Sequence, residues 1–350
     1  MKQIPLSHGL LNFAGHISLE KTEHGIRPWR LKHSDLPLYH SQGLQGRASS
    51  PSGVRMNLLS DTNCLTVDAV PVVMLGPATR SEAWKMDLLV DGQLHQRVVT
   101  DNVIDQSNTF KFTDIPAGEH RLEIWLDVFQ AVEIRQVSID DNATAKSFND
   151  TRPKWLVYGS SITHCGAAHG PSETWPALVD NEHGLNLTSL GFGGNCHLDP
   201  MVLRDMRGQP ADIISTCVGI NIQGGGSFSE RSFIPHVIGM IKTLREGHPV
   251  TPLMVVSPIS SPPREDVPNN VGMSLSDCRK QVRIAVQTVV QHDGDKHLYY
   301  HDGLELFGPQ QAHHMPDELH PDGDGIHMLA KHYSEQVIPQ LISDLHANVK

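Results

Sequence analysis

The chain has 350 residues, 39% of them hydrophobic and 19% charged, with a formal net charge of −11. That length exceeds what one ordinary domain needs and fits two. The acidic balance argues against an extended nucleic-acid surface, which needs clustered Lys and Arg, and no run approaches the ~20 apolar residues of a membrane span.

In chain order, the stretch Met1 to His8 lacks the continuous apolar core of a secretory signal, which predicts a cytoplasmic protein. Residues 1–150 read as a β-rich accessory domain. Alternating extended segments over 65–70, 86–90 (before the turn pair Asp91-Gly92), 120–126 and 132–139 are separated by turn chemistry, and a β-sandwich or jelly roll fits them best. Trp125 and Phe129 read as sandwich-core residues rather than substrate contacts. Residues 140–144 form a polar break.

From Trp155 the pattern changes to short apolar strands alternating with helical stretches, which predicts a mostly parallel sheet covered on both faces over residues 151–350. The expected strands are 155–158, 185–190, 213–218, 253–257 and 297–301, and the expected helices 175–181, 233–245, 275–291 and 325–345. Pro258 to Pro263 reads as a proline-rich surface excursion bordering the carboxyl edge of the sheet.

Tyr158-Gly159-Ser160-Ser161-Ile162-Thr163 follows the first of these strands, and Asp317-Glu318-Leu319-His320 lies far downstream. A serine hydroxyl is a poor nucleophile at neutral pH; it needs a base to take its proton and a third group to orient that base. Ser161, His320 and Asp317 supply the three roles, and Asp-x-x-His spacing lets one short turn present both carboxylate and imidazole. Acyl transfer also needs donors for the developing oxyanion. The candidates are the Ser161 amide, the Gly194 amide in Leu190-Gly191-Phe192-Gly193-Gly194-Asn195, and the side-chain amide of Asn221 in Val218-Gly219-Ile220-Asn221. Gly193 is the fallback for Gly194. These blocks follow the first three expected strands at their carboxyl ends, where open α/β sheets bind ligands. Trp175 is a candidate substrate-lining residue, although a tryptophan at a helix start more often packs in the core.

Other constellations compete less well. Cys64, Cys165, Cys196, Cys217 and Cys278 are odd in number and lack paired spacing, so reduced, buried, inert thiols are expected. His164-Cys165 with Cys196-His197, or His313, His314, Asp317 and His320, would be the metal alternatives. Neither has the ordered ligand pairs of a structural zinc site, and no metal is assigned. The absence of a Gly-x-Ser-x-Gly elbow argues against an α/β-hydrolase.

The four blocks, Gly159 to Ile162, Gly191 to Asn195, Gly219 to Asn221 and Asp317 to Pro321, stand in the order seen in the SGNH hydrolases, or GDSL-type esterases, which the last 200 or so residues resemble. Two positions depart from that pattern: Ser160 stands where an aspartate is usual, and Ile222 where an aspartate often follows the asparagine. The resemblance implies a flavodoxin-like α/β domain and an acyl-serine mechanism without metal or organic cofactor. It points to a divergent branch with an N-terminal β-domain that includes esterases and acyltransferases acting on sugars or natural products. The expected function is carboxylic-ester hydrolysis of short acyl esters, of carbohydrates by architectural analogy, with an acyltransferase or a non-catalytic sugar-binding protein as alternatives. The expected partner is a small-molecule or carbohydrate ester, with no nucleic acid and no membrane.

Overall fold

The structure, a computed structural model, describes residues 1–6, 9–76 and 83–348. Ser7 and His8 of the polar amino-terminal stretch lie outside them. The chain divides into two compact units, Met1–Arg152 with His169–Ala177, and Pro153–Ala168 with Leu178–Lys350. The segment His169–Ala177 thus departs from a simple boundary near residue 150, for an electrostatic reason. Asp87 accepts hydrogen bonds from the backbone (3.0 Å) and hydroxyl (2.6 Å) of Ser172, and Arg97 bridges Asp87 (2.7 Å) and Glu173 (2.5 Å). Charge-assisted bonds of this kind are about twice as strong as neutral ones.

The first unit contains two six-stranded antiparallel sheets. One runs Ser18–Lys21, Ile26–Trp29, Val132–Ile139, Leu65–Pro71, Asn108–Phe112, with Lys2–Ile4 also pairing Val132–Ile139. The other runs Ala145–Lys146, Arg55–Ser60, His120–Trp125, Ala83–Val90, Gln93–Asp101, with Asn12–Ala14 also pairing Arg55–Ser60. Alternate residues of both sheets meet in one core. Met56, Leu58, Trp84, Met86, Leu122 and Ile124 face Val67, Phe110, Phe112, Ile134 and Val137, with Trp84 edge-on to Phe110 at 4.8 Å. Trp125 is not part of that core. Period-two alternation puts it on the face opposite Leu122 and Ile124, where Arg55 covers its ring at 4.9 Å. Phe129 also lies outside the core, half-buried under the Arg47 guanidinium at 5.2 Å.

The second unit is built on a five-stranded parallel sheet of Lys154–Gly159, Asn186–Gly191, Ile213–Cys217, Leu253–Val256 and Leu298–His301. Its strand order, second-first-third-fourth-fifth, is that of a flavodoxin-like doubly wound sheet. Strands buried on both faces read as continuous apolar runs, and Leu253–Val256 is buried throughout. The helices Pro200–Gly208, Glu230–Gly247 and Leu275–Asp293 pack in succession. From the final helical region, Tyr333 meets Trp155 of the first strand at 5.9 Å. The single helix expected over 325–345 is two, Gly323–Gln336 and Ile338–Asn348. Pro339 lacks the N–H that would continue the first, and its ring would clash with the carbonyl four residues back. Among the described residues no helix is long and apolar enough to cross a membrane.

Candidate active site

The sheet's order reverses between its first and third strands, and the candidate nucleophile lies at that point. Lys154–Gly159 ends beside Gly191 and Cys217 of its neighbours. Ser160 follows, and its hydroxyl accepts from the Ile162 N–H (3.2 Å) to cap the helical turn Ser161–His164. Serine is a favoured N-cap, so Ser160 does local work in place of the aspartate usual in the resembling pattern. The turn lies tight across two strand ends. A Cβ on Gly159 would overlap Thr163 Oγ1, and one on Gly191 would overlap the His164 backbone nitrogen.

Asp317 and His320 occupy a turn just ahead of the helix Gly323–Gln336, which Asp322 caps through the Gly325 N–H (2.8 Å). Asp317 Oδ1 accepts from the backbone N–H of His320 (2.7 Å) and of Leu319 (3.1 Å), while Oδ2 faces His320 Nδ1 at 2.6 Å. A carboxylate can only accept, so Nδ1 carries the proton and Nε2 presents a lone pair. Ser161 Oγ lies 2.7 Å from that Nε2. Burial alone would push the Asp317 carboxyl up, but hydrogen bonds from the His320 ring and backbone and the pull of the imidazole outweigh it and hold it below the usual carboxylate range. The pair is open to water: the Asp317 side chain is 54% exposed and that of His320 37%. The structure therefore brings Ser161, His320 and Asp317 into one hydrogen-bonded chain.

Gly194 has φ 70°, a left-handed conformation that favours glycine, and a Cβ there would meet nothing within 4 Å. Asn221 lies in the first turn of the helix Ile220–Gly225, after Gly219 at φ 127°. Its Oδ1 accepts the Cys196 N–H (3.0 Å), so the orientation of its amide is set by the same loop that carries Gly194. Trp175, at the start of the helix Trp175–His183, is 1% exposed and packs inside the protein rather than lining an open face.

Among the described residues no three His, Cys, Asp or Glu side chains converge to hold a metal ion. His313 and His314 are tilted against each other at 4.3 Å, and His314 Nδ1 turns to Asp322 (3.3 Å), while Asp317 is engaged by His320. The five cysteines are free. Burial pushes the thiols of Cys217 and Cys278 up to about 12 and raises that of Cys196, so they are neither nucleophiles nor ready ligands at neutral pH.

Two contacts at this edge involve residues that sequence reasoning does not single out for such roles. Ser261, fully buried in the proline-rich excursion, donates its hydroxyl to the Glu318 carbonyl (2.8 Å). His197 lies 3.0 Å from the Gly194 carbonyl; its adjacency to Cys196 suggests a metal rather than this bond.

Residues 153–338 match the model of the GDSL-like lipase/acylhydrolase family, and residues 11–135 that of the SsfX3 N-terminal domain. Among solved structures, the chain is similar to a salicylyl-acyltransferase, SsfX3, from a tetracycline biosynthetic pathway, at 30% identity over 97% of each chain with a TM-score of 0.89. It shares its fold with a putative GDSL-like lipase from Bacteroides ovatus (18% identity, 95% of this chain and 96% of that one, TM-score 0.75). It does so too with an acetyl xylan esterase from Butyrivibrio proteoclasticus (11% identity, 97% and 98%, TM-score 0.64). None of the curated protein sequences matches it.

Proposed function

The chain belongs to the GDSL-like lipase/acylhydrolase family and is an SGNH-type acyl-transferring enzyme, and we propose that it hydrolyses short-chain carboxylic esters through an acyl-serine intermediate. The observation that carries this reading is the continuous chain from Ser161 Oγ to His320 Nε2 (2.7 Å) and from His320 Nδ1 to Asp317 (2.6 Å). In the first step His320 Nε2 takes the Ser161 proton as Oγ bonds to the ester carbonyl carbon. The carbonyl oxygen becomes an oxyanion, held by the amides of Ser161 and Gly194 and the Asn221 side chain. Collapse re-forms the carbonyl and breaks the bond to the alcohol, which leaves with the proton from His320. Water then repeats the sequence on the acyl-serine, releasing the acid and restoring Ser161. Asp317 holds the tautomer and stabilises the imidazolium without taking the proton.

A second reading is acyl transfer to an alcohol in place of water, favoured by the 30% identity to a salicylyl-acyltransferase across 97% of the chain. The fold shared with an acetyl xylan esterase supports a carbohydrate ester as substrate of the hydrolytic reading. The test is turnover of p-nitrophenyl acetate to butyrate and of acetylated sugars by the wild type and Ser161→Ala, with intact-mass detection of the adduct and added sugar or phenolic alcohols. Turnover and adduct that both vanish in Ser161→Ala are expected. An acyl group that partitions to an added alcohol in preference to water favours transfer. Activity that survives Ser161→Ala, or a folded wild type without turnover or adduct, overturns the mechanism.

A further inference from the structure

Building on the reading of Gly194 and Asn221 as oxyanion donors, we infer that His197, held by Ser227, is a positioning residue that braces the oxyanion loop. His197 Nε2 lies 3.0 Å from the Gly194 carbonyl, and Nδ1 lies 2.6 Å from Ser227 Oγ. A carbonyl can only accept, so Nε2 bears the proton; Nδ1 is then a lone pair, and the Ser227 hydroxyl donates to it. One neutral tautomer satisfies both partners.

Ser227 stands just beyond the helix Ile220–Gly225, which carries Asn221 in its first turn. Gly226 closes that helix at φ 58°, and the Ser227 N–H returns to the Ile222 carbonyl (3.2 Å). The imidazole rests on Gly225, where a Cβ would stand 3.0 Å from His197 Cε1 and 3.1 Å from Ser227 Oγ. The loop bearing Gly194 is thus tied to both ends of one short helix. The Cys196 N–H reaches Asn221 Oδ1 near the start (3.0 Å), and His197 reaches Ser227 past the end. The two outer donors of the oxyanion site are thereby cross-linked to each other.

This matters because an amide helps a developing oxyanion in proportion to how well it is aimed beforehand. Gly194 is exposed and has no neighbour within 4 Å on its Cβ side. Glycine in such a place has wide conformational freedom, and a bond that pins its carbonyl also limits its φ and ψ. Losing a donor outright costs roughly 100- to 1000-fold; letting one drift costs less.

The test uses the full chain with p-nitrophenyl acetate and, as a stoichiometric probe, diethyl p-nitrophenyl phosphate, whose phosphoryl oxygen calls on the same donors. His197→Ala is expected to lower kcat about ten-fold with KM changed less than about two-fold. Inactivation by the phosphate should slow in parallel, at a melting temperature within about 3 °C of wild type. His197→Gln, whose side-chain N–H reaches the same carbonyl, should restore most of the rate, and Ser227→Ala should give a smaller loss in the same direction. A kcat for His197→Ala within about two-fold of wild type overturns the inference, as does His197→Gln no better than His197→Ala when both melt like wild type. Should His197→Ala not fold, Ser227→Ala and His197→Gln decide: a kcat for Ser227→Ala equal to wild type, or for His197→Gln more than about ten-fold below it, overturns the brace. A Ser161→Ala variant without turnover beside a normal His197→Ala sinks the brace alone. Turnover by Ser161→Ala, or none by the wild type, sinks the oxyanion reading and the brace with it.

Discussion

Replacing Asp317 by asparagine should harm the enzyme more than replacing it by alanine, although asparagine is the closer shape. The reason lies in how the two carboxylate oxygens are used. Oδ1 accepts two backbone N–H groups, from His320 (2.7 Å) and Leu319 (3.1 Å), while Oδ2 faces His320 Nδ1 (2.6 Å). In Asp317→Asn the amide oxygen stays with the two backbone donors, and turning it over would forfeit about two hydrogen bonds at about 1 kcal/mol each and set N–H against N–H. The side-chain NH2 then points at Nδ1, imposing the tautomer with the proton on Nε2, which cannot accept from Ser161. Alanine removes the charge and both backbone hydrogen bonds to Oδ1, but leaves those N–H groups and Nδ1 to water, which can reach a turn whose imidazole is 37% exposed. The lost attraction between carboxylate and imidazolium is worth about 1 to 4 kcal/mol at 4 Å in surroundings between water and protein surface. With Asp317 54% exposed, the lower half of that range applies, or about 5- to 70-fold in kcat. Asparagine adds about 2 to 3 kcal/mol of tautomer penalty, for a total of about 10³-fold. The assay is kcat on p-nitrophenyl acetate for both variants at pH 7.5, with melting curves as a folding control. If Asp317→Asn is as active as Asp317→Ala or more so, the tautomer argument fails.

The support beneath the same turn gives a second expectation. Ser261 donates to the Glu318 carbonyl (2.8 Å), and Glu318 sits at φ 59°, a conformation that costs a non-glycine residue about 1 kcal/mol or more. Ser261→Ala should lower kcat about three- to ten-fold and stability by about 1 to 2 kcal/mol; an unchanged kcat would show that the turn holds without it. Stability should also report on His16, whose imidazole burial lowers to about 4 and whose Nδ1 is buried without a partner among the described residues. The folded state then binds fewer protons than the unfolded one between about pH 4 and 6.5, so stability falls as pH drops through that window and stops falling on this account below it. The full effect is up to about 3 kcal/mol. The difference in melting temperature between wild type and His16→Gln should shrink or reverse across that range, and parallel pH profiles would refute it. Finally, iodoacetamide at pH 7.5 should leave Cys196, Cys217 and Cys278 unlabelled in the folded protein and label them in denaturant, because burial keeps all three as thiols. Labelling of any of the three without unfolding would contradict their assignment as inert thiols.

The parts of this molecule legible in its sequence are those whose physics is local. The three inner parallel strands, Lys154–Gly159, Ile213–Cys217 and Leu253–Val256, are buried on both faces and read as short, mostly apolar runs whatever lies around them, and the turn Asp317 to His320 closes its own hydrogen bonds within four residues. The antiparallel unit is less legible because its strands face two environments. Gln93–Asp101 is largely polar and half-exposed and shows no clean alternation, and Arg55–Ser60 buries Arg55 and Asn57 on the face away from the sandwich core, where polar residues read as solvent-facing. Trp125 shows the same limit: its apolarity suggests the core, while its position after Ile124 dictates the opposite face. A single helix over 325–345 overlooks Pro339, a stop signal plainly present in the chain. What no local pattern announces is the second layer of the site. Ser261 with Glu318, and His197 with Gly194 and Ser227, each join loops that only the parallel sheet brings to one edge. A hydroxyl or imidazole has the same one-letter code whether it faces water or holds a carbonyl. The nucleophile, base and acid are constrained in type by the chemistry they perform, and so leave a motif. Residues that aim them are constrained only by where a hydrogen bond must end, and many side chains in many registers can meet that demand.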